Sequence, residues 1–191
     1  MCGIAGFFGT EPSAWSAIEA MTAALRMRGP DAEHAVFWDG NWHESQRQAV
    51  NGLIHTRLSI RDLRSVADQP MCNAERDVWI SYNGEVYGWE YDANVLQQQG
   101  YAFHTRSDTE FILNAYQAWG IVGALPRLRG KFAFVILDLK KRKVYVVRDR
   151  LGIKPVVYYH QGHQFACGSL VRSVLPWVPT RERRFAPSSI D

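Results

Sequence analysis

The sequence predicts an α+β fold in which antiparallel sheets are layered against separate helices. Strand candidates come in blocks, whereas a parallel sheet would need a helix between successive strands. Phe132 to Leu137 is an unbroken apolar run, as expected of a strand covered on both faces. The charged turn Lys140-Lys141-Arg142 leads that run straight back into Val144 to Val147 as a hairpin. A hairpin buried on two sides needs a layer over each. With 191 residues and 47% apolar content the chain can bury one sizeable core, so a single domain is the default.

In chain order, Gly3 to Gly9 reads as an apolar strand. Pro12 to Met27 reads as an amphipathic helix, with Trp15, Ile18, Met21, Ala24 and Leu25 at helical spacing. Three short strands are expected at His34 to Asp39, Trp42 to Gln48 and Leu53 to Leu58, divided by Asp39-Gly40 and Asn51-Gly52 in a meander. Arg61 to Asp77 reads as a loop before a strand at Val78 to Tyr82. Helices are expected at Glu90 to Gln99 and at Asp108 to Trp119, the second opened by the capping box Ser107-Asp108-Thr109-Glu110. Strands at Pro155 to Tyr159 and His163 to Cys167, a short helix at Leu170 to Leu175, and a linker or tail from Pro176 to Asp191 complete the series.

Composition excludes several classes of function. Charged residues make up 21% and the net charge is +3 without a long basic block, so neither nucleic acid nor an anionic membrane is an expected partner. No apolar run approaches the roughly 20 residues of a membrane span, and no signal-peptide pattern opens the chain, so a cytoplasmic protein is expected. Three scattered cysteines, Cys2, Cys72 and Cys167, suit a reducing compartment better than a disulfide framework. No metal site is expected: His160 and His163 flank a glycine turn without a Cys or acidic partner and read as a solvated hairpin. His55 reads as a packed or hydrogen-bonded strand residue rather than an acid or base.

Removal of Met1 would leave Cys2 carrying both a thiol and the free α-amine of the chain. A thiol needs a neighbouring base, because at a pKa of about 8.5 only a few per cent is ionised at neutral pH. An α-amine, at about 7.7 to 8.0, suits that task. Taken alone, Cys2 reads more simply as a small buried apolar residue. Asn83-Gly84 taken alone reads as a type I′ turn, and Arg57 as a surface strand residue with a screened ion pair.

The order of motifs changes these readings. Met1-Cys2-Gly3-Ile4, Arg28-Gly29-Pro30-Asp31, His55-Thr56-Arg57-Leu58-Ser59-Ile60, Gln69-Pro70, Tyr82-Asn83-Gly84-Glu85-Val86-Tyr87, Arg106-Ser107-Asp108-Thr109-Glu110 and Arg148-Asp149-Arg150-Leu151-Gly152-Ile153-Lys154-Pro155 follow one another as in class II glutamine amidotransferases. From Met1 to about Leu170 the chain resembles the N-terminal half of a glutamine-dependent asparagine synthetase. The resemblance implies a four-layer αββα sandwich of the N-terminal-nucleophile hydrolase type.

It also implies hydrolysis of the side-chain amide of L-glutamine. Cys2 would attack and form a γ-glutamyl thioester, and the Asn83 side chain and Gly84 N–H would receive the oxyanion. Arg57 would bind the α-carboxylate of glutamine, and Asp108 with Glu85 its α-ammonium. Leu58, Ile60 and Arg61 would line the pocket, although Arg61 stands where an apolar residue is usual. Other departures are Gly88 in place of the usual asparagine, and Ala67-Asp68 before Gln69-Pro70, where a glycine is common.

No SGGxDS or GxxxxGK[ST] phosphate loop occurs in these 191 residues. The glutaminase step is expected to need no cofactor. ATP and Mg are expected only in an absent synthetase domain or partner, which would receive the ammonia. A homo-oligomer is compatible with the sequence. The alternatives are a non-catalytic docking or regulatory module of the same fold, and a hydrolase of another amide.

Overall fold

The computed structural model describes residues 1–59 and 64–180. Strand β1 (Gly3–Phe8) is buried along its whole length, and its period of two explains how. Ala5 and Phe7 pack on helix α1 (Trp15–Leu25) through Ile18, Met21 and Leu25. Ile4 and Phe8 point the other way, into a second sheet. β1 lies at the centre of a five-stranded antiparallel sheet, between β3 (Asn51–Arg57) and β9 (Gln164–Gly168), with β2 (Ala32–Trp38) and β8 (Val157–Gln161) at the edges.

The second sheet runs β4 (Met71–Cys72), β5 (Val78–Val86), β6 (Gly130–Asp138), β7 (Lys143–Arg148), again antiparallel. On β6, Ala133, Val135 and Leu137 meet Ile4, Leu53 and Trp79 between the sheets. Phe132, Phe134 and Ile136 pack outward against Leu96 of α2 (Glu90–Gln98) and against Phe111, Ile112 and Tyr116 of α3 (Asp108–Ala124). The layers are therefore helix, sheet, sheet, helix, as the doubly covered run of β6 predicts. Each large apolar side chain buried there contributes about 1.5 to 3 kcal/mol.

Several elements differ from expectation, each for a local reason. Trp42 to Gln48 is not a strand; it makes one isolated bridge, Trp38 to Glu44. The Asp39 carboxylate accepts from the N–H of Asn41 and of His43, and such side-chain bonds compete with a ladder. Asn83-Gly84 does not form the type I′ turn. β5 runs straight through it, with Asn83 opposite Ala133 and Gly84 opposite Phe132. The nine-residue ladder offered by β6 outweighs a local turn preference.

β4 lies inside the expected loop. The long helix reaches Ala124, but Gly120, at φ 65° and ψ 177°, breaks it close to the expected end at Trp119. The capping box is half formed: the Ser107 side chain accepts from Thr109 N–H, while Glu110 turns back to the N–H groups of His104 and Thr105. The expected tail begins with an anchor, because Trp177 is 5% exposed and stacks on Phe7 at 5.1 Å. Residues 181–191 lie outside the described part. His160 and His163 are exposed at a hairpin turn, and all three cysteines are free.

Candidate active site

The register of the first sheet places the chain end. Gly3 pairs with Thr56, so Cys2 falls beside the end of β3. The Leu58 N–H donates to Cys2 Sγ at 3.4 Å, and the thiol faces the Leu58 carbonyl at 3.7 Å. The Arg28-Gly29-Pro30-Asp31 stretch clamps this corner. Arg28 Nε donates to the Cys2 carbonyl at 3.0 Å, and Asp31 accepts from Ser59 N–H at 2.7 Å. Gly29 is needed because a Cβ there would sit 2.3 Å from the Thr56 carbonyl oxygen.

Facing Cys2 across a cavity of about 400 Å³ is β5 of the other sheet, and Asn83, Gly84, Glu85, Arg57, Leu58 and Asp108 line the same cavity. Asn83 is 2% exposed, and its Nδ2 has no hydrogen-bond partner among the described residues. A buried amide donor left unsatisfied costs about 1 to 3 kcal/mol, so such a group marks a place where something else binds. At Gly84 a Cβ would come within 2.5 Å of the Lys131 carbonyl; the glycine admits close approach of β6.

Arg57 is 6% exposed, which sets aside the surface ion-pair reading. Its Nη1 donates to Asp68 Oδ1 at 2.5 Å and to the Arg64 carbonyl at 3.2 Å. Asp108 opens α3 and accepts on Oδ2 from the Tyr82 hydroxyl at 2.6 Å and from Val86 N–H at 2.9 Å. Gln69 ties the neighbouring loop to both elements: Oε1 accepts from Tyr82 N–H at 2.6 Å, and Nε2 donates to Thr109 Oγ1 at 3.1 Å. Glu85 sits at the rim, where Tyr87 O–H donates to it at 3.0 Å and Lys131 Nζ lies 3.5 Å away. Ile60 and Arg61 lie outside the described residues.

Lys154 Nζ reaches the mouth, 3.1 Å from Met1 Sδ. Burial, with Lys131 and Arg28 nearby, holds its pKa below the usual lysine value. Asp149 organises the loop that delivers it. Burial would raise the Asp149 carboxyl, but the N–H groups of Lys154, Ile153, Phe132 and Leu151 all donate to it and hold it low. Motifs around Arg28, Gln69 and Lys154 signalled these residues. Asp68 was marked only as part of a departure from the glycine common before Gln69-Pro70.

His55 also lines the cavity and is 0% exposed. Its Nε2 lies 3.2 Å from the Tyr82 carbonyl and Nδ1 has no partner among the described residues, so the ring donates through Nε2 in the neutral form. Burial pushes its pKa down to about 3. A histidine depressed this way binds a proton in the unfolded chain before it does in the folded one. Stability from this group is complete above about pH 6.5 and is lost as pH falls toward 3, by at most about 1.4 kcal/mol per pH unit. Urea unfolding across pH 7 to 4 is expected to show a shallower decline in His55→Gln than in wild type.

A wider cleft of about 510 Å³ lies along Trp15, Phe37 and Gln46 at the β2 edge, but no cysteine and no buried unpartnered polar atom is among its described lining residues. Among the described residues no group of three or more His, Cys, Asp or Glu side chains could hold a metal ion. No helix there is long and apolar enough to cross a membrane.

The profile of the glutamine amidotransferase domain matches residues 1–185. Asparagine synthetase [glutamine-hydrolyzing] 3 of Bacillus subtilis is 32% identical over 196 residues, covering 100% of this chain and 30% of that protein. A putative asparagine synthetase [glutamine-hydrolyzing] 2 of Methanocaldococcus jannaschii is 34% identical over 191 residues, covering 92% and 35%. The chain thus spans about a third of the length of these relatives. Among solved structures, glutamine phosphoribosylpyrophosphate amidotransferase from B. subtilis superposes with a TM-score of 0.74 at 19% identity, covering 88% of this chain and 42% of that one. With Cys2 in a cavity between two antiparallel sheets, and a family match over residues 1–185, the chain belongs to the glutamine amidotransferase domain family, of the class II kind.

Proposed function

We propose that this domain hydrolyses the side-chain amide of L-glutamine, with Cys2 as nucleophile. The observation that carries the reading is the buried, unpartnered Asn83 Nδ2 in the same cavity as the Cys2 thiol. Loss of Met1 frees the α-amine of Cys2, which takes the thiol proton as the sulfur bonds to the amide carbon. The oxygen of the tetrahedral intermediate becomes negative and is received by Asn83 Nδ2–H and Gly84 N–H. The carbon–nitrogen bond then breaks, the α-ammonium returns its proton to the leaving nitrogen, and ammonia departs. Water then attacks the thioester carbon as the α-amine takes its proton, the carbon–sulfur bond breaks, and glutamate leaves as that proton returns to the Cys2 sulfur.

Arg57 holds the α-carboxylate and Asp108, with Glu85 at the rim, holds the α-ammonium. That clamp selects free glutamine over a glutamine within a peptide. The step itself uses no cofactor. Free ammonia is mostly protonated at neutral pH, so the product is useful only if passed by a shielded route to an acceptor. We assign that acceptor to an asparagine-synthetase-like domain or partner, which supplies ATP and Mg for its own reaction.

The test is a chain verified by mass spectrometry to begin at Cys2. It is expected to convert L-glutamine to glutamate and ammonia in equal amounts, and a chain with one alanine retained before Cys2 is expected to lose this activity. Absence of glutamate above the buffer control, or activity indifferent to the added residue, overturns the reading.

A further inference from the structure

Asp68 stands behind the Arg57 guanidinium and is held there from several sides. Its backbone N–H closes a turn onto the Ser65 carbonyl at 2.9 Å. Its neighbour Gln69 is bonded to both β5 and α3. On the side chain, Oδ1 takes Arg57 Nη1 at 2.5 Å, and Oδ2 lies 3.3 Å from Nε2 of the half-exposed His34 ring on β2. Nη1 carries two N–H groups, and the Arg64 carbonyl accepts from the same nitrogen at 3.2 Å. Both donors on Nη1 are therefore spent on the protein, and the plane of the guanidinium is set before any ligand arrives.

We propose that Asp68 is a positioning residue for Arg57, and that it sets the preference of this site for a ligand with a free α-carboxylate. The proposal rests on glutamine hydrolysis at this cavity and deepens it. Two effects of Asp68 oppose each other. Its charge repels an incoming carboxylate, whereas its bond to Nη1 removes the entropy cost of orienting a long side chain and places a carboxylate against a buried cation. Free glutamine is a zwitterion, so attraction of its ammonium offsets much of that repulsion. Ordering of Arg57 is left as the larger effect.

The test compares steady-state ammonia release by wild type and Asp68→Ala, using L-glutamine and its α-carboxamide analogue, which lacks the carboxylate charge. For Asp68→Ala the KM for glutamine is expected to rise about tenfold with kcat within about twofold, while KM for the analogue moves by less than about twofold. A lower or unchanged KM for glutamine, or an equal shift for both substrates, overturns the proposal. Should Asp68→Ala fail to fold, His34→Ala removes only the contact to Oδ2, and a rise of about two- to threefold in KM for glutamine alone is expected. Wild type that releases no ammonia contradicts the glutaminase reading itself. Active wild type with a KM indifferent to Asp68 and His34 contradicts only the positioning role.

Discussion

Cys2→Ala is expected to lower ammonia release from glutamine on the order of a millionfold, as removal of the nucleophile does in other acyl-transfer enzymes. Cys2 is the sole sulfur nucleophile lining the cavity among the described residues, and Leu58 N–H is already directed at it. The neighbouring Met1 thioether is not a substitute, because a thioether carries no S–H to ionise. The fold does not depend on the thiol. Cys2 is only half-buried and precedes β1, so alanine should leave the thermal midpoint close to that of wild type. Loss of activity with an unchanged melting curve separates chemistry from folding. Equal residual release by both proteins would remove Cys2 from the reaction.

Asn83→Ala is expected to lower kcat by about 10² to 10³, or roughly 2.7 to 4 kcal/mol of transition-state stabilisation, with a smaller effect on KM. The split follows from the proposed roles: Asn83 lines the same cavity as Cys2, while the charged ends of glutamine are assigned to Arg57 and Asp108. Removing a donor that has no partner among the described residues should change stability by no more than about 1 kcal/mol. Gly84→Ala should behave differently, since its Cβ would strike the Lys131 carbonyl and the Phe132 backbone and push β6 aside. Stopped assays paired with thermal melts distinguish the two variants. A fall in melting temperature equal to that of Gly84→Ala would mean that Asn83 serves the fold rather than the reaction.

Much of the layered fold was legible because its signals are local. The unbroken run Phe132 to Leu137 announced a strand covered on both faces, and Ser107 announced the start of α3. Local signals also misled. The Asp39 carboxylate took the N–H of Asn41 and also that of His43, which a strand over Trp42 to Gln48 would have used in a ladder. Asn83-Gly84 carries a turn preference that the ladder with Ala133 and Phe132 overrides. Glu110 completes no capping box because the N–H groups of His104 and Thr105 claim its carboxylate.

Local sequence signals were enough for most helices and strands, for the double cover of β6 and, through the order of motifs, for Cys2, Arg57, Asn83 and Asp108 of the cavity lining. Period, capping and motif order are carried by residues close together in the chain. It took the assembled sheets to leave Asn83 Nδ2 without a partner among the described residues, to hold His55 neutral against the Tyr82 carbonyl and to set Asp68 against Arg57. Those facts depend on the register of β1 on β3 and on the packing of one sheet over the other. Side chains far apart in sequence meet there, and burial changes what each must bond.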